Sequence, residues 1–185
     1  MANNNSPFGL RPARLSSGVR FGCNHYYLPA SEANDLFIGD VITKAGDADA
    51  NGIPTAVKAT PGTGNRLTGA IVGFRPSPTL VANGYRKGGV AEYAIVCDDP
   101  SAIFEVQTTT LATADVGSNT NLVAGTGNRI NQSRLGANGA QVATTNTYQL
   151  NILGLSRSED NAVGAYAKIL VRINQHTEVP ASAGI

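Results

Sequence analysis

The feature that most constrains this chain is a series of short apolar–polar alternations, each closed within about ten residues by Gly, Pro, Asn or Asp. Ala102, Phe104 and Val106 alternate with Glu105 and Gln107. Tyr148, Leu150 and Ile152 alternate with Gln149 and Asn151, and Ala167, Ile169, Val171 and Ile173 alternate with Lys168 and Arg172. Side chains two positions apart share one face of a strand, so each segment predicts a half-buried strand. Over 90–97 the same period puts Ala91, Tyr93, Ile95 and Cys97 on the expected core face and Glu92 on the other. Further strands are predicted at 26–28, ended by Pro29, at 36–43, at 53–60 and at 67–74, where Arg75-Pro76-Ser77-Pro78 closes the run.

Gly39 inside 36–43 predicts a bulge or a close backbone approach. Asn51-Gly52 predicts a turn. The helical readings, 110–116 and a turn over 158–163, are too short to anchor a layer. The expectation is therefore an all-β fold, a jelly-roll-like sandwich or a small β-barrel, with an extended N-terminal arm.

At 185 residues the chain has the size of one domain. Its expected divisions are an arm over 1–22, a single β domain over 23–174 and a polar tail over 175–185. The arm carries Arg11, Arg14 and Arg20, no acidic residue, and Phe8, Leu10, Leu15, Val19 and Phe21 at irregular spacing. It thus has apolar handholds but no period on which to fold alone. Two readings stand beside each other: a frayed terminus, or an arm ordered by lying on its own or a neighbouring body.

Lys and Arg number 14 against 13 Asp and Glu, a net charge of +1, so no global field draws the chain to nucleic acid or an anionic membrane. Basic residues interleave with aromatics only at Tyr85-Arg86-Lys87, read as a solvated strand end. No apolar run approaches the ~20 residues of a membrane helix, and the start lacks the pattern of a secretory signal. Cys23 and Cys97 could form one disulfide at most; in a chain kept in a reducing cytoplasm, or in something assembled there, they are expected to be buried free thiols.

No chemistry-bearing constellation emerges. His25 and His176 lie near opposite ends of the chain, His176 in the polar tail, and neither has metal-ligand spacing. Asp98-Asp99-Pro100 reads as a turn. Gly62-Thr63-Gly64-Asn65-Arg66 recurs as Gly125-Thr126-Gly127-Asn128-Arg129, a pattern able to cradle an anion, but neither copy has the lysine and hydroxyl of a P-loop. Two turns of similar chemistry are the simpler reading. A glycan-acting enzyme needs two carboxylates about 5–9.5 Å apart in a cleft, and no pair stands at suggestive spacing. The expectation is a non-enzyme with no catalytic, cofactor or metal site.

The opening Ala2-Asn3-Asn4-Asn5-Ser6-Pro7-Phe8-Gly9-Leu10-Arg11-Pro12 resembles the start of small structural proteins of tailed bacteriophages, encoded beside the major capsid protein. The resemblance continues through Tyr27-Leu28-Pro29-Ala30-Ser31, Leu36-Phe37-Ile38-Gly39-Asp40, Ile71-Val72-Gly73-Phe74, Leu150-Asn151-Ile152-Leu153-Gly154-Leu155 and Val171-Arg172-Ile173-Asn174. It implies a capsid decoration or cementing protein on the outer face of the virion, assembled in the bacterial host cytoplasm. The implied partners are the major capsid protein and further copies of the chain, as a homodimer or homotrimer; no nucleic acid, membrane or cofactor is implied. A cement needs an arm to clasp a neighbour, so Phe8, Leu10, Arg11, Arg14 and Phe21 are expected to contact an adjacent subunit. The alternative is a tail or connector component, or a β-rich receptor-binding virion protein.

Overall fold

A computed structural model describes residues 3–15, 22–125, 127 and 132–184. Eleven strands account for nearly all of its regular structure: β1 (Arg11–Leu15), β2 (Cys23–Leu28), β3 (Val41–Ala48), β4 (Pro54–Lys58), β5 (Gly69–Phe74), β6 (Glu92–Cys97), β7 (Ala102–Gln107), β8 (Asn119–Val123), β9 (Gly136–Ala143), β10 (Leu150–Leu155) and β11 (Lys168–Ile173). One short helix, α1 (Pro78–Asn83), and a 3-10 turn, Thr113–Asp115, complete it. The chain is all-β, with two sheets packed together.

The first sheet closes on itself in the order β2-β4-β3-β5-β6, β6 returning to pair antiparallel with β2. Closure removes the unpaired edges that a five-stranded sheet would otherwise expose. Tyr26, Leu28, Leu36, Ile42, Ala56, Ile71, Phe74, Ala94 and Val96 fill its interior. The second sheet is open, in the order β1-β7-β11-β10-β8-β9. A larger core joins the two: Val41, Ala70 and Cys97 from barrel strands cluster with Phe104, Val106, Ile152, Ile169 and Val171 from the open sheet. Strands β3, β5 and β6 thus contribute to both cores, through Ile42, Ile71, Ala94 and Val96 to the barrel and through Val41, Ala70 and Cys97 to the junction with the sheet.

Along β6 the expected core face holds only at Cys97, which is wholly buried. Glu92, Ala94 and Val96 are buried, while Tyr93 and Ile95 are half-buried on the outside. The narrow interior takes small side chains here, and Tyr93 instead donates its hydroxyl to Asp49 Oδ2 at 2.6 Å. The buried Glu92 carboxylate accepts from the Ser77 hydroxyl. Ser77 also accepts the Leu80 amide, which makes it the cap of α1, with Pro78 in the first turn. The segment read as a strand stop is therefore also a helix start.

The strand expected over 36–43 runs instead as β3 to Ala48, and Asp49 Oδ1 accepts the amides of Asn51 and Ile53 to close the turn expected at Asn51-Gly52. Strands β8 and β9 had no counterpart in the alternation. Asn119, Thr120, Asn121 and Leu122 are all buried in a row, which erases the two-residue period. The close approach expected at Gly39 is present: its φ is +92°, and a Cβ there would lie 2.6 Å from Phe8 O. Gly9, at φ +79°, crosses from the other side, and its Cβ would meet Gly39 O at 2.3 Å. Only glycine fits either side of this crossing.

Candidate functional site

The arm expected over 1–22 is, across residues 3–15, part of the body. Gln107, almost wholly buried, clasps it: Oε1 accepts the Ser6 amide at 2.8 Å, and Nε2 donates to Asn4 O at 2.8 Å and Tyr166 O at 3.0 Å. Asn3 Nδ2 donates to the carbonyls of Ala162 and Ala165, and its Oδ1 accepts the Ala162 amide. Beyond Gly9, the Leu10 amide donates to Gly39 O at 2.9 Å, and Arg11–Leu15 then pairs antiparallel with β7.

This geometry divides the residues expected at an interface. Leu10 is 0% exposed and Phe8 8%, so the chain's own core takes both anchors, and the clasp expected of them on a neighbour is made within the subunit. Arg11 and Arg14 lie exposed on β1. Phe21 falls outside the described residues. The Arg11 guanidinium sits 4.4 Å from the Phe8 ring centroid and 3.8 Å from a Glu105 oxygen, so a cation–π contact and an ion pair set its direction. Strand β1 is an outer strand of the open sheet, and its ladder shifts register between Pro12 and Arg14. A proline and a bulge blunt such an edge against indiscriminate strand pairing, leaving its side chains as the recognisable feature.

Beside β1 lies an open cleft of about 530 Å³, reached by Asn4, Phe8, Arg11, Glu105, Asp160, Tyr166 and Lys168. Its charges balance, two cationic and two anionic. Glu105 is already engaged by the Ser156 hydroxyl and by Arg11. Tyr166, at φ +58°, is the one non-glycine residue with positive φ among the described residues. Its amide donates to Thr109 O and its carbonyl accepts from Gln107, so the surrounding chain holds a conformation that a tyrosine rarely adopts.

In the first copy of the glycine motif both glycine amides are turned into the body. Gly62 donates to Gln149 Oε1 at 2.9 Å and Gly64 to Thr147 O at 2.8 Å. Gln149, wholly buried, also accepts the Leu122 amide and donates to Thr60 O and Asn65 O, so all four of its hydrogen-bonding positions are filled. Most of the second copy of the motif lies outside the described residues.

Two side chains read as solvated are buried. Arg86 is 0% exposed and donates to the carbonyls of Pro29, Glu32 and Asn34, pinning that loop, and burial holds its pKa below the usual value. His176, assigned to a polar tail, is also 0% exposed; its Nδ1 accepts the Glu178 amide at 3.0 Å, and burial lowers its pKa. The partners of Arg86 lie more than 50 residues earlier in the chain, which no local pattern announces. Asp40 is buried as well, with its pKa raised by burial despite the Ser133 hydroxyl and Lys58 beside it. Among the described residues no group of three or more His, Cys, Asp or Glu side chains is arranged to hold a metal ion.

Compared with protein-family models, curated proteins and solved structures, the chain matches none.

Proposed function

We propose that this chain is a structural virion protein that binds the outer face of a tailed-phage capsid and cements neighbouring major capsid subunits, acting as a homodimer or homotrimer. The resemblance along most of the chain supports the reading. The observation that carries it is the β1 edge: a strand anchored to its own core by Leu10 and presenting Arg11 and Arg14 outward. A rigid edge loses little conformational freedom on docking, and many modest contacts repeated over a lattice sum to firm attachment. Two guanidiniums suit carboxylates on a coat subunit, because each offers a planar fork of donors.

The test is binding to heads assembled without this protein. The native chain should saturate them and raise the temperature at which they open. The double variant Arg11→Glu, Arg14→Glu should bind at least tenfold more weakly, a loss of about 1.4 kcal/mol or more. Equal binding by native and variant chains would overturn the role given to this edge. Native chain that does not bind heads would overturn the cementing role.

A further inference from the structure

Cys23 opens β2 and Cys97 closes β6, and the antiparallel register sets them directly opposite each other. Opposed residues in such a ladder have Cα atoms about 4.5–5.5 Å apart, inside the ~4.4–6.8 Å span of disulfide-bonded cysteines. Paired positions project to the same face of the ladder, so the two side chains lie side by side. Both are free thiols in the structure, Cys23 exposed and Cys97 buried behind it. They are the two cysteines of the chain, so no other intramolecular pairing competes.

We propose that this pair is a redox modification site, at which oxidation forms a cross-strand disulfide that locks the β2–β6 seam of the barrel. The inference goes beyond the capsid reading and does not depend on it. Its consequence follows from position: Cys23 is the first residue of the first barrel strand and Cys97 the last residue of the last. The bond would bracket the whole barrel-forming segment in one covalent loop.

A low-molecular-weight disulfide such as oxidised glutathione supplies the oxidant. The exposed Cys23, as its thiolate, attacks one glutathione sulfur, forming a mixed disulfide and releasing one glutathione thiolate. Burial pushes the Cys97 thiol up to about 12, which leaves it the resolving partner. Cys97 yields its proton to the released thiolate, and its sulfur displaces the second glutathione as a thiolate, which takes the proton lost from Cys23. Two protein thiols are oxidised, and one glutathione disulfide is reduced to two glutathione thiols. Excess reduced glutathione in a cytosol drives the exchange backward, so the bond belongs to oxidising surroundings.

The experiment uses the purified full chain, incubated with oxidised glutathione or with dithiothreitol. Oxidation should lower the intact mass by two hydrogen atoms, yield a Cys23–Cys97 linked peptide on proteolysis and raise the melting temperature by about 5–15 °C. Cys23→Ser, a change at an exposed position, should melt like the reduced native chain and gain nothing from oxidation. Two thiols still titratable in the unfolded oxidised sample would overturn the site. So would a glutathione adduct that persists on Cys23, or a dimer linked through it. A linked chain that melts no higher than the reduced one would overturn the lock.

Discussion

The N-terminal and C-terminal segments lie on the same body and are held differently: the first adds buried apolar anchors to the amides of Asn3 and Gln107, and the second relies on amides. The N-terminal segment is anchored by buried apolar side chains, Phe8 and Leu10, across the Gly9–Gly39 crossing. The C-terminal segment is held by amides: Asn174 Nδ2 donates to the carbonyls of Asn146 and Tyr148, and its Oδ1 accepts the Ser182 amide. Asn119 Nδ2 adds bonds to Thr145 O and Ser182 O, and Gly184 donates to Thr144 O. Arg11 and Arg14 stand exposed beside the N-terminal anchors, whereas the C-terminal amides bond the last described residues back to the open sheet.

The sharpest way to break this contrast is Leu10→Ala. Emptying a wholly buried site at the junction of barrel and sheet should cost about 3 kcal/mol, read from chemical denaturation. A loss under about 1 kcal/mol would mean that the segment is not anchored there. Asn174→Ala comes next. It leaves two carbonyls and one amide without their partner and should cost about 2 kcal/mol, with proteolysis expected first in the C-terminal segment.

The C-terminal anchor should also be the pH-sensitive one. His176 faces Thr68, Asp98 and Glu178, while Arg66 donates to its carbonyl, and its folded pKa lies below the ordinary value of 6.5. Between the folded and ordinary values the unfolded chain binds more protons than the native one. The stability contributed by neutral His176 is thus complete above 6.5 and is lost as pH falls through the folded value. Comparing denaturation at about pH 7.5 and about pH 5.5, the native chain should lose more stability than His176→Gln. Equal losses would remove His176 from the account. The smallest effect is expected at the N-terminal surface: Arg11→Ala with Arg14→Ala should change stability by no more than about 0.5 kcal/mol, since both are exposed, while weakening attachment to heads.

Legibility in the sequence followed the same division between apolar and polar chemistry. Strands β7, β10 and β11 were readable because apolar and polar residue types alternate along them; burial alternates too in β10 and β11, whereas β7 is buried on both faces. Barrel closure was not, since it depends on β2 pairing with β6 and β4, partners remote along the chain. Nor was the inward face of β6, where Ala94 and Val96 rather than Tyr93 and Ile95 join the barrel core. Strand β8 was hidden by buried Asn and Thr side chains whose hydrogen-bond partners lie in other segments. At the candidate site, the cations and apolar residues of the N-terminal segment were visible as types. Their destinations were not, because alternation cannot tell whether Phe8 and Leu10 fill the chain's own core or a neighbour's.

The most direct measurement for the cementing role is the number of copies of this chain per major capsid subunit in purified virions, by quantitative mass spectrometry. A cement predicts a fixed stoichiometric ratio, hundreds of copies per particle, with loss of heat resistance when the chain is stripped. A dozen copies or fewer on a head whose stability is unchanged by stripping would contradict it.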